Sequence, residues 1–89
     1  MNLRQIDLNL LVALDALLSE RNVTRAGEKL ALSQSAMSGI LAKLRHVFDD
    51  ELLVRVGRNL EPTAFAAEIA GPLRQCLQEL EGQIGRAHV

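Results

Sequence analysis

Leu32-Ser33-Gln34-Ser35-Ala36-Met37-Ser38-Gly39-Ile40-Leu41 is the stretch on which the fold turns. Ser33 has the side chain of a helix N-cap, an oxygen that accepts from the free N–H groups of a first turn. The helix it opens is expected from about Gln34 to Phe48. At helical spacing Met37, Ile40, Leu41, Leu44, Val47 and Phe48 share one arc. Gln34, Ser35, Ser38, Gly39, Ala42, Lys43, Arg45 and His46 share the other. The apolar arc packs. The polar arc carries neither charge nor bulk at its N-terminal end, where an ordinary solvated face shows Glu and Lys. Such a surface can approach another surface closely.

Upstream, a short helix is expected from about Thr24 to Leu30 or Ala31, with Asn22 and Thr24 as capping candidates. Ala26 and Leu30 face inward. Gly27 lowers helix propensity but permits two helices to cross tightly. Ala31-Leu32-Ser33 is then a tight connection. Before it, Asp7 caps a helix to Glu20 whose leucines and Val12 wrap most of the circumference. So wide an apolar face implies burial on more than one side, and in a small domain one side can belong to another subunit.

Downstream, the acidic run Asp49-Asp50-Glu51 opposes the helix dipole and ends the third helix. Leu52 to Val56 is expected as a short strand, Gly57-Arg58-Asn59 as a turn, and Leu60-Glu61 as the return. This small hairpin carries Arg55 and Arg58 near its tip. Thr63 caps a last helix, in which Ala66, Ile69, Ala70, Leu73, Leu77, Leu80 and Ile84 form a stripe. Gly71-Pro72 interrupts that stripe without changing its phase, so a kink is expected more than a break. From Gly85 to Val89 no pattern remains, and fraying is expected.

Composition bounds the function. The 89 residues, 9.8 kDa, make one small domain with a marginal core. Aromatics are 2%, without Trp or Tyr, which argues against a base-stacking platform for single strands. One cysteine makes no internal disulfide, and Cys76, His46 and His88 are too scattered for a zinc site. The two histidines are expected as plain surface residues. Without a membrane-length apolar run or a signal segment, the expectation is a cytoplasmic protein with no membrane partner. No cofactor is expected. Net charge is −1, but it is unevenly placed. Residues 21–58 sum to +3 between flanks of −2 each, a sign of an anion-facing middle.

The order helix, helix, tight turn, helix, hairpin, long helix is that of a mainly α, winged helix-turn-helix: three helices and a short two-stranded wing, followed by a long linker helix. Residues 1–62 are expected to form the DNA-binding domain and residues 63–89 the linker and dimerisation helix. The runs Asp7-Leu8-Asn9-Leu10-Leu11, Asn22-Val23-Thr24-Arg25-Ala26 and Leu32 to Ser38 resemble the DNA-binding domain of LysR-type transcriptional regulators. So do Glu51-Leu52-Leu53-Val54-Arg55, Gly57-Arg58 and Leu60-Glu61-Pro62-Thr63, so that the resemblance covers nearly the whole chain. It implies binding to double-stranded DNA as a homodimer, with linker helices paired antiparallel. It also implies that a longer protein assembles further and meets a small-molecule effector through a C-terminal domain that is absent here. The chain is then a truncated piece or a stand-alone remnant. Three positions depart from the family pattern. Ser35 stands where proline is usual, Gly39 where a basic or long polar residue is frequent, and Arg45 where Glu is usual. Gly39 puts one base contact in doubt; Arg45 resembles the subgroup with nodulation and aromatic-catabolism regulators.

The residues carry matching chemistry. Gln34, in the first turn of a helix entering the major groove, can bond adenine N6 and N7 together; otherwise it caps its own helix. Ser35 and Ser38 can reach bases or phosphates, or are surface serines. Ser33 is chiefly a cap and secondarily a phosphate ligand. Thr24 and Arg25 begin the helix that crosses the backbone and are phosphate candidates, with a solvated arginine as the plain alternative. Lys43 and Arg45 lie roughly 14–17 Å along the helix from Gln34, out of reach of the same base step. Both touch flanking phosphate at most, and for Arg45 pairing with Asp49 or Asp50, one turn on, is the favoured alternative. Arg58, in the turn, suits an A·T-rich minor groove, and Arg55 suits phosphate. Leu14, Leu18, Ile69, Leu73, Leu77, Leu80 and Ile84 are the dimer-interface candidates, and Cys76 is expected as a buried thiol there. The alternative from another class is a helical module that binds only protein, favoured by the net negative charge. No paired carboxylates, nucleophile–base set or phosphate loop suggests an enzyme.

Overall fold

The computed structural model describes residues 6–87, with side chains through residue 85. In chain order it has α1 (Leu8–Glu20), α2 (Val23–Lys29), α3 (Gln34–Phe48), β1 (Leu53–Val56), β2 (Asn59–Pro62) and α4 (Ala64–Ala87).

Each helix starts where a short polar side chain can satisfy its first turn. Asp7 Oδ1 accepts from the Leu10 amide at 2.9 Å, Asn22 Oδ1 from Arg25 at 2.8 Å, and Ser33 Oγ from Ala36 at 3.0 Å. Thr63 Oγ1 does the same for Ala66 at 3.1 Å. Arg21 and Asp49 take left-handed φ values of 52° and 51°, closing α1 and α3. The cap of α2 is therefore Asn22 and not Thr24, which lies one residue inside the helix.

The α2–α3 turn depends on Gly27. Its carbonyl accepts from the Leu32 amide at 2.8 Å, and a Cβ there would lie 2.7 Å from Leu32 O and 3.0 Å from Met37 Cγ. Only hydrogen fits in that gap, so α3 can seat Met37, fully buried, directly against α2. Leu10, Leu14 and Leu17 of α1, Ala26 of α2, Met37, Leu41 and Leu44 of α3, then Leu52, Leu53 and Ala66 make one core with no buried polar side chain among the described residues.

The hairpin pairs Leu53 with Pro62, Val54 with Glu61, Arg55 with Leu60 and Val56 with Asn59. Gly57-Arg58 is thus a two-residue turn, and Gly57 at φ +63° supplies the left-handed first position such turns need. The strands run one residue off their expected ends, beginning at Leu53 and returning from Asn59 through Pro62.

Two expectations about the helices are corrected. Leu14 and Leu18, 1% and 8% exposed, lie in the protomer's own core and cannot meet a second copy. The outer face of α1 is instead Leu8 and Val12. The pattern-poor end of α4, expected to fray, remains helical to Ala87, whereas the helix runs on through Pro72 as expected; His88 and Val89 lie outside the described residues. Only the first part of α4 belongs to the core, through Ala66, Ile69, Ala70 and Leu73. Arg74 then ties α4 to α1 through both carboxylate oxygens of Asp15, at 3.2 and 3.4 Å. Beyond this, Leu80 and Ile84 are exposed at 39% and 50%. No helix of the described residues is long and apolar enough to cross a membrane.

Candidate nucleic-acid interface

The local chain geometry brings three separated segments to one side. The N-terminus of α2 carries Thr24 and Arg25, the N-terminus of α3 carries Gln34, and the wing carries Arg55 and Arg58. All five line one open concavity of about 490 Å³. Ser33, Ser35 and Ser38 are exposed along α3 but do not line it, and Lys43 is exposed farther along that helix.

The basic residues of the middle segment divide into two groups. Arg21 pairs with Glu61 at 2.7 Å, Lys29 with Glu20 at 3.8 Å, and Arg45 with Glu51 at 3.5 Å. Arg25, Lys43, Arg55 and Arg58 have no acidic partner within 4 Å among the described residues. Three of these four, Arg25, Arg55 and Arg58, face the concavity. A surface of unneutralised guanidinium groups beside small polar side chains suits a polyanion better than a protein partner.

Gln34 does not cap its own helix. Ser33 holds that position, and the Gln34 amide donates from Nε2 to Ser38 Oγ at 3.0 Å. This bond, one turn along α3, fixes the amide while leaving its oxygen and second N–H free, the pair that an adenine edge needs. Ser33 Oγ is occupied by the Ala36 amide, so its capping role is direct.

Arg45 departs from its expected pairing with Asp49 or Asp50. Its Nε donates to Glu51 O at 2.8 Å and its Nη2 to Leu53 O at 2.9 Å. Asp50 is engaged elsewhere, accepting on Oδ2 from the Leu52 amide at 2.8 Å and from Thr63 Oγ1 at 2.6 Å. Cys76 is exposed on the protomer, so burying its thiol takes a second copy. Arg21, Asn59 and Glu61 also line the concavity and escaped the sequence reading. The Arg21–Glu61 pair joins the end of α1 to β2, and no local pattern signals a contact between positions so far apart.

Comparison with known proteins gives the arrangement its context. Residues 8–67 match the family described as bacterial regulatory helix-turn-helix protein, lysR family. Nodulation protein D 1 of Bradyrhizobium elkanii is 51% identical over 81 residues, which are 91% of this chain and 26% of that protein. The chain thus spans about a quarter of the length of this relative. The crystal structure of a probable transcriptional regulator from Pseudomonas aeruginosa superposes with a TM-score of 0.86 at 43% identity, over 92% of this chain and 28% of that one. The CbnR DNA-binding domain, solved in complex with DNA, gives a TM-score of 0.76 at 25% identity, over 93% of this chain and 94% of that one. The chain belongs to the lysR family of bacterial regulatory helix-turn-helix proteins.

Proposed function

We propose that this DNA-binding domain reads double-stranded DNA with the N-terminus of α3 in the major groove and the wing in the adjacent minor groove. Gln34, with Ser35 and Ser38 beside it, meets base edges; Arg58 enters the minor groove. Thr24, Arg25, Lys43 and Arg55 meet phosphates, with Ser33 adding a contact from the cap. The observation that carries this reading is the convergence of Arg25, Gln34, Arg55 and Arg58, from three separate segments, on one concavity, where these three arginines have no acidic partner within 4 Å among the described residues. The DNA complex of the CbnR domain supports it by its similar fold.

We propose further that residues up to Pro62 do the reading and that α4, from residue 63 on, links two copies. Leu77, Leu80 and Ile84 of α4 line a second groove with Leu8 and Val12 of α1. A second α4, running antiparallel across a two-fold axis, is the occupant that fits it, and two reading heads then require an interrupted inverted repeat. Ile69 and Leu73 support α4 from the core side. A longer protein carrying this domain adds effector binding and further assembly.

Selection of bound duplexes from a random pool tests the reading. An inverted repeat with A·T-rich flanks is the expected outcome. Recovery of no preferred sequence, or binding that ignores salt, overturns it.

A further inference from the structure

Arg45 lies on the same face of α3 as Gln34, three turns farther along at about 3.6 residues per turn. On that face a free arginine would belong to the DNA. Its guanidinium is instead committed to the protein: Nε donates to Glu51 O and Nη2 to Leu53 O, at 2.8 and 2.9 Å. These carbonyls bracket Leu52, whose φ of +66° is a conformation that a bulky side chain seldom adopts. We propose that Arg45 is a positioning residue for the wing: it sets the angle at which the hairpin leaves α3, and so decides whether Arg58 reaches the minor groove while Gln34 occupies the major groove.

The surrounding contacts separate this role from folding. Leu52 and Leu53 are fully buried, and Thr63 holds the same link through its backbone N–H to Leu52 O at 3.0 Å and its hydroxyl to Asp50. Those contacts anchor the link to α4 and the core. On the other strand, Glu61 is held to the end of α1 by Arg21. Arg45 is the side chain of α3 that bonds the start of β1, so removing it loosens the α3–wing angle while the other anchors remain. The fork is what matters. Lysine keeps the charge but cannot present two donors in a plane to two carbonyls.

This inference rests on the wing reading DNA, and its test treats the two separately. Arg45→Lys, Arg45→Ala and Arg58→Ala, and each Arg45 variant combined with Arg58→Ala, are titrated against the selected duplex. The same titrations use versions with G·C flanks or an altered half-site, over a range of salt, and thermal unfolding is followed for each variant. Arg58→Ala is expected to reduce the preference for A·T flanks by about five-fold or more. Arg45→Lys should remove most of that preference while leaving half-site discrimination and the salt slope as in the parent chain. In the Arg58→Ala background it should change flank preference by less than about two-fold, because both residues act through one contact. If Arg45→Lys keeps the flank preference and only Arg45→Ala weakens all duplexes with a flatter salt slope, Arg45 is a phosphate ligand and the proposal is overturned. Equal losses at flank and half-site, tracking a lower Tm, make it merely structural and also overturn it. If Arg58→Ala leaves flank preference intact, the minor-groove reading fails, and this inference with it.

Discussion

Two open grooves among the described residues differ in what lines them. The one at the mouth of α2, α3 and the wing holds Arg25, Gln34, Arg55 and Arg58; the one between α1 and α4 holds Leu8, Val12, Leu77, Leu80 and Ile84. In the first, Arg25, Arg55 and Arg58 are left without acidic partners among the described residues, while Arg21 is paired with Glu61. The second joins its apolar surface, which a small core could not cover, to a polar rim of Asp15, Lys29, Arg74, Gln78 and Glu81. Water solvates the first well and the second poorly, so the first suits a charged polymer and the second a matching apolar face. A substitution in the first groove should therefore weaken binding at each half-site and leave dimerisation, one in the second should break dimerisation and leave binding to a single half-site, and one beneath both should damage both.

The largest separation is expected from Leu80→Glu with Ile84→Glu. Both side chains are exposed on the protomer, so its own stability should move by only about 0.5 kcal/mol. Across a dimer contact the same charges cost several kcal/mol, roughly 2 or more, when buried without partners. Sedimentation should show a monomer, and affinity for a duplex with both half-sites should collapse toward that for one half-site. A parent chain that is itself monomeric at micromolar concentrations overturns pairing through α4 alone.

Gly27→Ala attacks the comparison from beneath. The added methyl meets Leu32 O and Met37, and overpacking of this kind costs about 1–3 kcal/mol. The Tm should fall and both associations should weaken in step; weakening of DNA binding alone would mean that the turn had adapted. Gln34→Ala should do the reverse, costing about 1–3 kcal/mol at one A·T pair. Because the Gln34 side chain bonds only Ser38 among the described residues, the Tm should hardly move. An equal loss on every sequence would mean that Gln34 positions and does not read.

Salt gives a finer measure. With three or four phosphate contacts per subunit, a dimer should show a log–log slope of about −5 to −7. Arg25→Ala should flatten it by about 2 for the pair of subunits. Arg21→Ala, in the same groove but already neutralised by Glu61, should leave the slope nearly unchanged and cost about 0.2–1 kcal/mol of stability. A slope that responds equally to both variants would show that the division into paired and unpaired cations does not matter in solution.

Much of this was legible in the chain because it is local. Ser33 at the head of α3, the apolar arc behind Gln34 and the Gly57 turn depend on neighbours within a few residues, and helix caps and hairpin turns are read at that range. The same holds for the small polar residues on the face of α3, since an amphipathic helix shows its faces in its spacing. The lysR resemblance likewise rests on short runs of residues.

What needed the tertiary structure was the choice of partner for each side chain. On the sequence, Leu14 and Leu80 belong to equally good apolar stripes, yet the first lies in the protomer's core and the second faces solvent. Arg21, Arg45 and Arg58 are alike in type and lie in the same basic segment. The fold brings Glu61 to the first and two backbone carbonyls to the second, and gives the third no acidic neighbour among the described residues. Periodicity states which residues share a face. It does not state what that face meets, because burial and ion pairing depend on distances between segments far apart in the chain, and those distances exist only once the helices have packed.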